Sequence, residues 1–141
     1  MGPGAFADAI DGLLDDNARL VAVAVALLGA HLVLGVAGLT QRRVPRLMIG
    51  LNLAVAATIL LYKASQYSAY PALIEEVRDD LATNTDVRLV AFEAVVALVA
   101  GLALAGRRVA AWLSAAAFLV HALAAAALIV FVLTFRLDRL I

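Results

Sequence analysis

The chain has 141 residues, is 65% hydrophobic with a mean hydropathy of +1.01, and carries no formal net charge. Water-soluble domains of this size are nearer half apolar, so the composition excludes a soluble enzyme and gives no basic stripe for nucleic acid. The chain has no cysteine, which removes disulfides, thiolate metal sites and cysteine nucleophiles.

The apolar excess lies in runs of Ala, Val and Leu too long for a buried core helix. They predict an all-α integral membrane protein, a single membrane domain over residues 1–141. Residues 1–17 precede the first run. Phe6, Ile10, Leu13 and Leu14 recur there at helical spacing, with Asp8, Asp11 and Asp15 elsewhere on the wheel. That pattern predicts an amphipathic helix on the membrane surface. Gly2, Pro3, Gly4 and Gly12 favour a frayed segment as the alternative. No basic n-region precedes the first run, so it is expected to be a retained span rather than a cleaved signal.

Span one covers 20–39, with His31 as its only strongly polar side chain. Ala18, Ala22, Ala26 and Ala30 recur every fourth residue, and Gly35 and Gly38 follow, a spacing that lets helix backbones approach closely. A purely basic turn, 40–46, comes next, and its Pro45 suits a helix start. Span two, 47–63, holds Asn52 and Thr58, both expected to bond between helices. Lys63 is expected to snorkel from its end, beside an aromatic belt of Tyr62, Tyr67 and Tyr70. In the connection 71–84, Leu73, Ile74, Val77 and Leu81 share a face opposite Glu75, Glu76, Asp79 and Asp80, which predicts a second, acidic surface helix. Span three, 89–106, contains Glu93; span four, 109–135, contains Ser114, His121 and Thr134. The expected fold is a bundle of four transmembrane helices, made of two similar hairpins, with two amphipathic surface helices.

Charge sets the expected orientation. Arg42, Arg43, Arg46, Arg107 and Arg108 occupy two turns with no acid among them, and the positive-inside rule makes that side cytoplasmic. Both termini and the 63–88 connection then face the other compartment, where ten of the eleven acids meet six of the eleven bases. This predicts a multi-pass protein of a bacterial-type inner membrane. An internal repeat is also suggested. Arg19-Leu20-Val21-Ala22 returns as Arg88-Leu89-Val90-Ala91, and Arg42-Arg43-Val44 as Arg107-Arg108-Val109. Duplication of a hairpin and convergence on the same topological needs both account for it.

Three residue sets bear on chemistry. His31 and His121, the only histidines, lie about 13 Å and about 18 Å from the arginine-side boundary at 1.5 Å rise per residue. If they faced each other they would suit the two axial positions of a b-type haem, the one cofactor considered. The alternative is that each histidine bonds locally and fixes helix packing. Two histidines without a nearby Cys, Met or carboxylate are an incomplete zinc or copper set. Lys63 and Glu93 reach similar depth by the same rise and form the expected ion pair, either a salt bridge or a relay site. Glu75, Glu76, Asp79 and Asp80 form an acidic face that suits a basic partner or simply stands in water.

Nothing resembles a nucleotide-binding loop or a nucleophile elbow, so no catalytic residue is assigned and an enzyme is not expected. The expected partners are the lipid bilayer and other membrane subunits or further copies, without nucleic acid. The leading reading is a non-catalytic subunit of a larger inner-membrane assembly, respiratory or photosynthetic. The alternatives are a haem-binding electron-transfer anchor using His31 and His121, and a small oligomeric transporter or channel using Glu93 and Lys63.

Overall fold

The computed structural model describes residues 2–136 and is all-helical over them. Six helices follow in order: α1 (Ala5–Asp15), α2 (Asn17–Gln41), α3 (Arg46–Ala69), α4 (Ala72–Asp79), α5 (Thr85–Leu104) and α6 (Arg108–Phe135). Four of them, α2, α3, α5 and α6, are long and apolar enough to cross a membrane. Their length and composition suggest a multi-pass membrane protein. Asp138 and Arg139, counted above with the acidic side, lie outside the described residues.

Local chemistry sets the helix ends. Asp16 breaks the chain between α1 and α2 with an extended backbone, and its carboxylate accepts from the Arg19 backbone N–H at 3.1 Å. This is an N-cap, which compensates one of the orphan donors of a helix start. Asn84 caps α5 likewise, accepting from the N–H groups of Asp86 and Val87. The cap starts α5 at Thr85, one turn before the expected boundary at 89, and so carries Glu93 one turn deeper from the helix start. Pro45 precedes α3, and Pro71, which cannot continue a helix, follows its end.

The two basic turns share one construction. In the first, Arg42 adopts a left-handed φ of 52° and the Arg43 N–H reaches back to the Gly38 carbonyl. In the second, Gly106 takes φ 94° and the Arg107 N–H reaches the Leu102 carbonyl. Both are Schellman-type endings. The structural match is therefore Arg42 with Gly106 and Arg43 with Arg107, one residue out of register with the sequence match. The hairpins also differ in packing. α5 and α6 lie close together, whereas α2 and α3, joined by a turn only one residue longer, touch at few points. The bundle runs α2, α6, α5, α3 by closest neighbours, with α3 also meeting α6.

α1 fills the gap between α2 and α3. The Ala7 N–H donates to Ser65 Oγ at 3.1 Å, Ser65 donates to the Pro3 carbonyl at 2.6 Å, and Tyr62 donates to Asp11 at 2.6 Å. Gly4 permits this approach, since a Cβ there would stand 2.9 Å from the Ala69 Cβ. The first amphipathic segment is thus docked on α3, more firmly than a free surface helix. α4 barely touches the bundle, and its acidic side chains are exposed.

The core follows the helical period. Glu93, Val96, Ala100 and Ala103 form the buried stripe of α5, and Ala110, Ser114, Phe118, His121, Ala125 and Val132 that of α6. Met48, Ile49, Asn52 and Ala56 face them from α3. Ile49, Ala100, Ala103 and Ala110 make one packed cluster, where small side chains bring three backbones together. Ala100 is wholly buried while Leu98, two residues away, is 65% exposed. Ala100→Leu should cost about 1–3 kcal/mol by overpacking, and Leu98→Ala within about 0.5 kcal/mol. Reversible unfolding in mixed micelles measures both; equal costs would contradict this core.

Candidate functional site

Buried polar groups in an apolar bundle must find partners inside the protein, because neither lipid nor packed side chains offer any. Four such residues lie on the inward stripes of three helices: Asn52 on α3, Glu93 on α5, and Ser114 and His121 on α6. Asn52 and Ser114 are fully buried, and Glu93 and His121 are 2% and 7% exposed. Asn52 Nδ2 donates to the Ser114 carbonyl at 2.5 Å and to Ser114 Oγ at 2.9 Å. Its Oδ1 lies 3.1 Å from His121 Nδ1. On the other side of the ring, Nε2 lies 3.1 Å from both carboxyl oxygens of Glu93. Phe92 stands edge-on to the imidazole, with centroids 6.1 Å apart.

The donors and acceptors fix the protons. A carbonyl only accepts, so the Ser114 carbonyl orients the Asn52 amide with its NH2 toward α6. Oδ1 must then face His121, and Nδ1 must carry the proton it accepts. At Nε2 the ring faces both Glu93 oxygens at hydrogen-bond distance, a contact that requires one proton between the two groups. No buried side-chain nitrogen or oxygen among these four residues lacks a partner. The cluster joins α3, α5 and α6, and none of its four residues lines the hollows beside Tyr67, His31 or Pro45.

His31 does not face His121. Its Nδ1 donates to the Leu27 carbonyl one turn back at 2.6 Å, and its ring leans on Phe118 with centroids 4.5 Å apart and 34° between planes. Its Nε2 is buried without a partner. This geometry does not bring together the two histidines of the expected haem pair. Axial ligation needs a free ring nitrogen on each side of the macrocycle, and both nitrogens of His121 are engaged by Asn52 and Glu93. Among the described residues no three His, Asp or Glu side chains gather as a metal site.

The expected Lys63–Glu93 pair is also corrected. Lys63 Nζ meets Asp86 Oδ1 at 2.9 Å and Gln66 Oε1 at 3.2 Å, while Glu93 turns inward to His121. The reason is the early start of α5. Asp86 stands in the first turn, level with Lys63, and Glu93 lies two turns further in. Tyr67 donates to the second Asp86 oxygen at 2.8 Å and Tyr62 to Asp11, so two of the three belt tyrosines serve as clamps between helices. Asn52 bonds between helices as expected, whereas Thr58 bonds back to the Ala54 carbonyl of its own helix at 2.8 Å. Glu75, Glu76, Asp79 and Asp80 remain exposed on and just after α4, with Asp80 accepting from the Thr83 hydroxyl. Comparison with known protein families, curated proteins and solved structures gives no match to this chain.

Removing one member should cost more than removing two. His121→Leu leaves the Glu93 carboxyl and Asn52 Oδ1 buried without partners and should destabilise by about 3–5 kcal/mol. Adding Glu93→Leu should recover part of that loss, because an apolar pair replaces an orphaned acid. A double-mutant cycle on unfolding free energy checks the sign; strictly additive losses would show that the pair is not coupled.

Proposed function

We propose that the protein is a non-catalytic packing subunit of a larger inner-membrane assembly. The observation that carries this reading is the closed Asn52–His121–Glu93–Ser114 cluster. Its hydrogen-bonding groups are engaged inside the bundle, so it serves as a clamp between three helices and offers no open group to a substrate. The flanks are the opposite. Val33 and Val36 on α2 and Leu123 and Val130 on α6 are about three-fifths exposed or more (62–69%), an apolar surface suited to lipid and neighbouring subunits. The exposed acids of α4 suit a basic soluble partner, which makes an electron-transfer complex the assembly to test first.

In this reading Arg42, Arg43, Arg46, Arg107 and Arg108 face the cytoplasm, and the start of α1, the end of α6 and α4 face the other side. The cysteine-free chain permits a direct test. A membrane-impermeant maleimide added to intact spheroplasts should label Asp80→Cys and spare Arg43→Cys, with both labelled after lysis. The reverse pattern would invert the topology. Affinity purification in a mild detergent, followed by mass analysis, should recover stoichiometric membrane partners. A lone monomer after gentle solubilisation would count against a subunit.

One observation favours a second reading, a small proton-coupled transporter: the contact of two ionisable groups, His121 Nε2 and the Glu93 carboxyl at 3.1 Å, between long apolar helices. It predicts proton flux in proteoliposomes above that of empty vesicles, abolished by Glu93→Gln. The packing reading predicts wild-type flux at the level of empty vesicles.

A further inference from the structure

A groove of about 590 Å³ runs between α2 and α6 on the arginine side of the bundle. It opens because Gly35 on α2 and Ala115 on α6 leave both helix surfaces bare at about the same level, and Ala122 does so two turns further along α6. Its walls are mostly apolar. Phe118, packed on His31, lines the inner part beside Ala122, and Arg42 and Arg43 stand at the mouth. From His31 to Arg42 is about 16 Å along a helix axis at 1.5 Å per residue. That matches one leaflet of a hydrocarbon core about 30 Å thick.

The mouth is cationic and uncompensated. Neither Arg42 nor Arg43 takes part in an ion pair among the described residues. Arg43 donates Nε to Gln41 at 2.8 Å and keeps its other N–H groups for a further acceptor. Trp112, 66% exposed one turn into α6, lines the same end, where an indole suits the headgroup level. Arg42 also holds a left-handed backbone that Gly106 supplies without steric cost in the other turn.

We propose that this groove binds one anionic phospholipid of the arginine-side leaflet. Its phosphate bridges Arg42 and Arg43, and one acyl chain runs along Gly35 toward Phe118. The proposal rests on the membrane reading of the four long helices. It is independent of whether the protein is a subunit or a transporter. A second copy inserted the same way up is a poorer occupant, because it brings the same five arginines to that level and sets like charge against like.

The test uses the full chain reconstituted in equimolar phosphatidylglycerol and phosphatidylcholine, then released for native mass spectrometry. One phosphatidylglycerol should remain on each chain in preference to phosphatidylcholine. Arg42→Ala with Arg43→Ala should lower that preference on the order of twentyfold, about fivefold for each basic residue at an anionic surface. Arg107→Ala with Arg108→Ala removes the same charge from the same end of the bundle, at residues that do not line the groove, and should leave the preference unchanged. Gly35→Leu has room for its Cβ, whose nearest neighbour would be Phe118 Cε1 at 3.8 Å. It should fill the groove and remove the lipid with both arginines intact. Ala122→Leu repeats this from α6, and circular dichroism checks that each variant stays helical. Equal losses from the two arginine pairs would reduce the site to diffuse charge and overturn the proposal. So would lipid retention in both groove-filling variants, or a dimer mass in place of the lipid adduct.

Discussion

The rest of the bundle depends on His121. Among the described residues its ring is the one side chain that bonds to two other long helices at once, to α3 through Asn52 and to α5 through Glu93. An apolar helix pair has little reason to choose one rotation over another when lipid and side chains are equally oily. A buried polar group removes that freedom, because every other rotation leaves it unbonded in a medium that offers no partner. Asn52 adds the constraint that its amide cannot flip: its NH2 is spent on the Ser114 carbonyl. The contact of α3 with α5, the contact of α6 with both, and the inward turn of Glu93 all follow.

Small residues and polar residues divide the work between them. Ala56, Ala100 and Ala103 bring helices close enough for short side chains to reach across. The cluster then fixes which faces meet. Toward the acidic end of the bundle the same division appears with charged groups, where Lys63, Tyr67 and Asp86 tie α3 to α5 and Ser65 and Tyr62 hold α1. α2 is outside both systems. It packs on α6 through His31 and Phe118, and His31 spends its only bonded nitrogen on its own helix. A groove opens along α2 where Gly35 and the facing Ala115 leave both helix surfaces bare.

The sequence was legible where one helix decides the outcome. Four apolar runs, the acidic segment before each half and the arginine turns are local features, and the helices stand where those features put them. The helix ends were read less well, because caps act at single residues. Asn84 moved the start of α5 outward by a turn, and that shift alone separates Glu93 from Lys63. The site required knowing which faces meet. Depth along the chain placed His31 within about one turn of His121, but depth carries no rotation, and the two rings point to different neighbours. A signal was present. Glu93 shares its stripe with Val96, Ala100 and Ala103, and His121 shares its stripe with Ser114 and Phe118. Polar residues on the small-residue face of two helices are partners before they are ligands. Counting helix face as well as depth would have joined Glu93 to His121.

The central claim is that Glu93 bonds to His121 and not to Lys63. Solid-state NMR in lipid bilayers measures it directly, with 13C at the glutamate carboxyls and 15N in the histidine rings and lysine ammonium. The account predicts a strong dipolar coupling between the Glu93 carboxyl carbon and one His121 ring nitrogen, lost in His121→Leu, and none to Lys63 Nζ. A coupling of that carboxyl to Lys63, or to neither histidine, would contradict it.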